Sequence, residues 1–193
     1  FNQREMPEQH PLRNHWVFWD FKSDSAVEKS DYSSLFREIC EFKTVEEFWK
    51  FWAFIPPPST VFGDGFKKKI IDGRVIKALN VFKKGIRPEW EDPANCKGCD
   101  LLASKNLTLA NLDAVWENVV LALIGETIDV GDEICGCRVV DSCKKGKALY
   151  KIEIWLRSKD QAKCNAIKEK MMKVGLGFDA DSKSNITFDI KAR

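Results

Sequence analysis

The sequence predicts an α+β fold: a single curved, mostly antiparallel β-sheet backed by three α-helices on its convex face. Three observations carry that expectation. Short runs rich in aromatic and β-branched residues, several of them alternating, recur along the whole chain. Between them lie stretches with helical spacing or a helix cap. Their order, β-β-α-β-β-α-β-β-α-β, shows no internal repeat and no linker-like break. Residues 1–193 are therefore expected to form one domain, with 1–9 as a flexible N-terminal arm.

His15 to Lys22 (HWVFWDFK) alternates in part and is rich in aromatics, as a strand requires. The Ser-rich stretch 24–34 is expected to be a loop, and Leu35 to Phe42 a second strand. Thr44-Val45-Glu46-Glu47 is a capping box, in which the Thr44 side chain caps a helix and Glu47 reaches back. The helix extends to about Phe54 and is stopped by Pro56-Pro57-Pro58. Its Phe48, Trp49, Phe51, Trp52 and Phe54 are more than one sheet face can bury, so some of this aromatic surface is expected to meet a partner.

Gly63 to Lys84 is basic and Gly-punctuated, with a loop first and a strand at Ala78 to Phe82. Its lysines fit either a solvated loop or contact with RNA phosphates. Leu101 to Ser104 is a short strand. Asn111 to Gly125 is the clearest helix: Leu112, Val115, Trp116, Val119, Val120 and Leu123 share one stripe, and Gly125 sits at the C-cap. Ile134 to Ser142 and Leu149 to Arg157 form a hairpin whose tip is Lys144-Lys145-Gly146-Lys147. Lys159 to Val174 is a third helix, and Asn185 to Ile190 the last strand.

Composition narrows the function. A length of 193 residues with 44% hydrophobic and 31% charged content describes an ordinary globular protein. A net charge of +2 excludes wholesale wrapping of nucleic acid, so phosphate contacts must come from a local patch. The longest apolar run, Val119 to Ile124, is far too short to span a membrane, and Phe1 to His10 lacks a signal-peptide core. Seven cysteines without a secretion signal imply reduced thiols in a cytoplasmic or nuclear setting. Cys96-Lys97-Gly98-Cys99 has a zinc-knuckle look, but Cys135 and Cys137 are wrongly spaced for a standard ribbon, so ordinary thiols and no metal are expected. There is no P-loop, no GxGxxG motif, and only two histidines, so nothing points to an enzyme or a cofactor.

What remains is a binding constellation. Trp90 sits in the polar stretch Arg87-Pro88-Glu89-Trp90-Glu91-Asp92, flanked by Pro88 and Pro93, where neither a long helix nor a central strand forms easily. The ring could fold back onto the core. It could also offer its π face to a flat cation, with the Glu91 carboxylate accepting two N–H groups from the same ligand. N7-methylguanine is such a ligand. Further aromatics (Trp16, Tyr32, Trp155) and a basic hairpin (Lys144, Lys145, Lys147, Lys151) complete the parts for stacking a base and holding its phosphates.

Along nearly its whole length the chain resembles the mRNA cap-binding translation initiation factor 4E family. The matching segments occur in family order: His10-Pro11-Leu12 with Trp16 and Trp19; Thr44-Val45-Glu46-Glu47-Phe48-Trp49; Phe82-Lys83-Lys84-Gly85-Ile86 with Pro88 and Trp90-Glu91-Asp92; Trp116 with Leu123-Ile124-Gly125-Glu126; Cys135-Gly136; and Lys151-Ile152 with Ile154-Trp155. The resemblance implies that 7-methylguanine is sandwiched on the concave side. Trp90 would supply one ring and its backbone N–H, Glu91 would take N1–H and N2–H, Trp155 would pack on the N7 methyl, and Lys151 would hold phosphate. Methylation makes the base cationic, which strengthens stacking by roughly a kcal/mol or more.

The chain departs from the family pattern at several places. Tyr32 stands where the second sandwich ring is usually Trp. The hairpin is one residue longer than usual, leaving Lys144 and Lys145 as candidates for the family's phosphate-binding Arg. The stretch 63–84 is also longer. On the convex face, His10, Pro11, Val45, Trp49 and Leu121 match residues that dock an amphipathic helix of the scaffold factor 4G or of 4E-binding proteins. Glu117 and Asn118 replace an apolar residue and an acid there, which implies altered partner choice. The resemblance thus implies a monomeric, non-enzymatic factor, cytoplasmic with the nucleus as a second location, that links capped mRNA to a scaffold. A divergent cap-binding repressor and a protein-interaction module without cap affinity are the alternatives.

Overall fold

A computed structural model describes residues 9–22, 29–71, 73–174 and 186–192. The strands are β1 (Pro11–Lys22), β2 (Phe36–Thr44), β3 (Ile76–Lys83), β4 (Cys99–Ala103), β5 (Ile134–Asp141), β6 (Tyr150–Leu156) and β7 (Asp189–Ala192). They form one seven-stranded sheet in the order β2-β1-β3-β5-β6-β4-β7. Each pairing among them is antiparallel, so the expected "mostly antiparallel" sheet is antiparallel throughout its described strands.

Three long helices back the sheet: α1 (Val45–Trp52), α3 (Leu109–Ile124) and α4 (Gln161–Lys173). The apolar stripe of α3 is fully engaged, with Leu112, Val115, Trp116, Val119 and Val120 at no more than 1% exposure. It packs on Ile152, Ile154 and Leu156 of β6 and Cys137 and Val139 of β5 in one continuous core. Because side chains alternate along a strand, the intervening residues of β5 and β6 face the other, open side of the sheet. That open face carries the candidate site.

Local chemistry mostly follows the expected rules, with instructive shifts. The Glu47 backbone N–H donates to Thr44 Oγ1 at 3.1 Å, as a capping Thr should. The Glu47 carboxylate, however, reaches one residue further back and accepts the Lys43 N–H at 2.8 Å. The first helix ends at Trp52, two residues short of the expected Phe54, and a short helix α2 (Pro58–Val61) follows the prolines. Pro58 at its first turn lacks only an N–H that a helix start leaves unbonded anyway. Asp113 of α3 holds α2 by accepting the Ser59 N–H at 2.8 Å and the Ser59 hydroxyl. Gly125 caps α3 with an ordinary helical φ of −76°, and the left-handed turn falls on Glu126 at φ 51°.

The predicted loop 24–34 is corrected in part: Lys29–Leu35 is a 3-10 turn, and residues 23–28 lie outside the described residues. The expected arm 1–9 lies outside them except for residue 9. The last strand, expected over 185–190, is corrected to Asp189–Ala192: 186–188 are not strand, and 185 lies outside the described residues. No helix among the described residues is long and apolar enough to cross a membrane.

Candidate functional site

On the open face, β6 presents Lys151, Glu153 and Trp155, while Tyr150, Ile152, Ile154 and Leu156 enter the helix-backed core. Trp155 is fully buried with Phe82, Ile86 and Cys135 in a second apolar cluster, against which Trp90 and Ala94 pack. Phe82 meets Trp155 edge-on, with ring centroids 5.3 Å apart at 88°. Trp90 lies above Trp155 at 4.3 Å, tilted by 35°. No base fits between two rings that close. A ligand must use what remains open of Trp90, which is only half-buried. Trp155 is thus a platform under Trp90, and with its ring fully buried it is not open to the N7 methyl group that the resemblance assigned to it.

The loop bearing Trp90 is held by its own polar residues. Asp92 accepts the backbone N–H of Arg87 and of Ala94, each at 2.8 Å, closing the turn that the flanking prolines permit. Asn95 is fully buried, and its amide donates to the carbonyls of Arg87 and Glu89, both at 2.8 Å. These two bonds fix the chain on the N-terminal side of Trp90. Asn95→Ala would remove both of these bonds, leaving the Glu89 carbonyl only the long contact from the Asp92 N–H at 3.4 Å. Unfolding in urea is expected to show a loss of roughly 2 kcal/mol.

Tyr32 reaches the site from the 3-10 turn. Its ring leans on Phe21 at 5.4 Å and Phe36 at 5.6 Å, and it stays about one-third exposed. Ser33 beside it donates to Glu89 Oε2 at 3.1 Å, while Arg87 gives Glu89 Oε1 two N–H groups at 3.0 and 2.7 Å. Glu89 is buried and therefore clamps the Tyr32 turn to the Trp90 loop. Burial pushes the Tyr32 hydroxyl above the usual tyrosine value; the Arg138 charge opposes this, and Glu91 and Glu89 add to it. Tyr32 is therefore within electrostatic reach of the carboxylates on both sides of Trp90. Glu91 itself is exposed.

Two residues at the site were not singled out from the sequence. Arg138 of β5 and Glu153 of β6 are cross-strand partners, joined by Arg138 Nε to Glu153 Oε2 at 2.7 Å. The same carboxylate oxygen accepts the Trp155 indole N–H at 3.1 Å. The guanidinium carbon lies 4.8 Å from the Trp155 ring centre and 5.6 Å from that of Trp90. Pairing the hairpin outward from its tip would have put 138 opposite 153, and that register was the available signal.

The lysines divide. Lys151 shares the open face with Trp155. Lys144 and Lys145 instead line a cavity of about 300 Å³ with Gly63, Gly65, Phe66, Lys67, Lys68, Lys77 and Asp141, and neither tryptophan of the stack contributes to it. The long hairpin carries these two to the 63–68 loop, where the Gly146 N–H donates to the Gly65 carbonyl at 3.0 Å. As stand-ins for a phosphate-binding Arg beside the stacked rings they are therefore misplaced. Trp16 likewise leaves the site: it is buried in the main core, beneath the Lys83 ammonium at 5.7 Å.

The opposite face gathers the expected partner residues. His10 meets Glu46 through its backbone N–H at 3.0 Å and Nδ1 at 2.7 Å, and its carbonyl accepts the Val45 N–H at 2.9 Å. Hydrogen bonds from the His10 ring and backbone draw the Glu46 carboxyl down to about 2. The segment with Pro11 is thereby tied to the start of α1. Trp49 remains 46% exposed and Val45 37%, while Phe48 is buried. Leu121, Glu117 and Asn118 are half-buried on α3 at helical spacing, and Glu117 lines a cavity of about 270 Å³ with Trp52 and Trp116.

The cysteine pairs do not converge. Cys96 is exposed, whereas Cys99 is buried with its sulfur 3.1 Å from that of Cys164. Among the described residues no group of three or more His, Cys, Asp or Glu could hold a metal ion.

Comparison with known proteins adds a family. The model of the family described as eukaryotic initiation factor 4E matches residues 11–193. Eukaryotic translation initiation factor 4E-2 of Schizosaccharomyces pombe is 38% identical over 173 residues, covering 88% of this chain and 60% of that protein. The factor 4E of Saccharomyces cerevisiae is 36% identical, covering 88% of this chain and 69% of its own length. This chain thus spans well short of the full length of these relatives. Among solved structures, the complex of C. elegans eIF4E-3 with the 4E-binding protein Mextli and a cap analogue superposes with a TM-score of 0.71 at 26% identity, covering 94% of this chain and 92% of that one. Ascaris suum eIF4E-3 with the m2,2,7G cap gives 0.68 at 26% identity, covering 89% and 87%.

Proposed function

Because the chain belongs to the eukaryotic initiation factor 4E family, we propose that it binds the 7-methylguanosine 5′ cap of mRNA and recruits a scaffold factor for translation initiation. The observation that carries this reading is the Trp90 ring, stacked at 4.3 Å on a buried Trp155 and still half-open, with the exposed Glu91 carboxylate next to it and Tyr32 on the turn that the Ser33–Glu89 bond ties to the same loop. A methylated, cationic guanine gains from the π face and from the local negative charge, while neutral guanine gains less. The reading assigns Tyr32 as the second ring, Glu91 to the N1–H and N2–H edge, and Lys151 to phosphate. Nothing in it involves covalent chemistry, and it places the protein's work in the cytoplasm, as a monomer. Retention on a 7-methyl-GTP resin with elution by 7-methyl-GTP but not by GTP supports it, and passage through that resin contradicts it.

The solved neighbours include complexes with 4E-binding proteins as well as caps, which supports a second role for the α1 face here. An exposed Trp49 beside Val45 and the His10 tether suits the apolar side of an amphipathic helix. Trp49→Ala is expected to weaken binding of such a helical peptide at least tenfold while 7-methyl-GTP affinity stays within twofold. Calorimetry with both ligands checks this; equal peptide affinity in the two proteins would move the partner site elsewhere.

A further inference from the structure

The open face of β6 runs Trp155, Glu153, Lys151 toward the hairpin. Alternate residues on a strand are spaced by about 6.5 Å, so Lys151 lies roughly 13 Å from Trp155 along the strand, with the Arg138–Glu153 pair midway. A nucleotide whose base stacks at Trp90 and whose terminal phosphates reach Lys151 must therefore pass its ribose and nearest phosphate over that pair. The pair is well built: the Arg138 and Glu153 side chains are only 16% and 11% exposed. Glu153 takes the Arg138 Nε–H and the Trp155 indole N–H together, so one carboxylate fixes both the platform and the guanidinium. The two Nη groups of Arg138 are left to meet a ligand, on a guanidinium already held at 4.8 Å from the Trp155 ring centre.

We propose that Arg138 contacts the phosphate nearest the ribose of the bound nucleotide and is positioned for it by Glu153; this rests on the cap-binding reading above. A planar guanidinium with fixed orientation suits two phosphate oxygens at once, which a flexible lysine does not offer. The longer hairpin, which carries Lys144 and Lys145 away to the 63–68 loop, leaves this inner position to the sheet.

The test compares 7-methylguanosine, 7-methyl-GMP and 7-methyl-GTP by fluorescence titration of wild type, Arg138→Met and Arg138→Lys. The proposal expects Arg138→Met to bind the nucleoside within twofold of wild type and both phosphorylated ligands about tenfold more weakly or worse. Arg138→Lys should fall between. An equal loss for all three ligands would show that Arg138 merely packs on the rings and would overturn the phosphate role, as would undiminished binding of 7-methyl-GMP. Should Arg138→Met fail to fold, the ratio of nucleoside to nucleotide affinity in Arg138→Lys decides in the same way. Wild type that binds none of the three ligands removes the cap-binding reading and this contact with it; wild type that binds all three equally removes this contact alone.

Discussion

Trp90→Ala is expected to lower 7-methyl-GTP affinity by at least a hundredfold and to flatten the preference over GTP. Losing one stacking ring costs about 1–3 kcal/mol per base. The cationic share of the contact is worth about 2 kcal/mol in a desolvated slot. Together these amount to roughly 3–5 kcal/mol, and every 1.4 kcal/mol is tenfold. Trp90→Phe keeps a π face and should recover part of the affinity. The ring is only half-buried and sits on top of the second apolar cluster, so the fold should survive its loss. Calorimetric titration of wild type and both variants checks this, and a loss below fivefold in Trp90→Ala would remove Trp90 from the sandwich.

Gly136→Ala is the second large effect, and it acts from beneath. Gly136 pairs with Phe82 on β3, and a methyl group there would lie 2.4 Å from the Phe82 ring and 2.5 Å from the Val81 carbonyl oxygen. Neither can yield cheaply: the carbonyl is backbone, and Phe82 is fully buried, edge-on to Trp155. Overpacking of this kind costs about 1–3 kcal/mol, which at this chain length lowers the melting temperature by up to roughly 10 °C. The displaced Phe82 must push Trp155, and Trp155 carries Trp90, so 7-methyl-GTP affinity should fall in the variant even at temperatures where it is folded. A thermal melt together with a titration at low temperature reads both effects. An unchanged melting temperature would mean that β3 and β5 can separate without cost.

The backbone of this fold is written in local chemistry, and local chemistry could be read. The Thr44 cap, the α3 stripe through Trp116 and the basic-tipped hairpin depend on neighbours within a few residues, and each stands where the sequence places it. The surplus of aromatics on α1 was legible for the same reason: Phe48 is buried while Trp49 and Phe54 are left exposed. Short α2 was not, because a proline run marks a stop and says nothing of a restart. Its stabilising carboxylate, Asp113, is 54 residues away. The site divides along the same line. Trp90, Glu91 and Trp155 could be picked out by type and local context. Arg138 and Glu153 acquire meaning only through a cross-strand register. Glu89 does so only through a contact with Ser33, 56 residues before it. Lys144 and Lys145 have the right charge for phosphate, but hairpin length decides where they point, and composition is blind to length.

The most direct test of cap recognition is intrinsic tryptophan fluorescence during separate titrations with 7-methyl-GTP and GTP. A methylated base stacked on Trp90 should quench emission with micromolar or tighter affinity, and GTP should bind at least tenfold more weakly. Equal binding of the two nucleotides, or none, would contradict cap recognition and leave the Trp49 face as the protein's working surface.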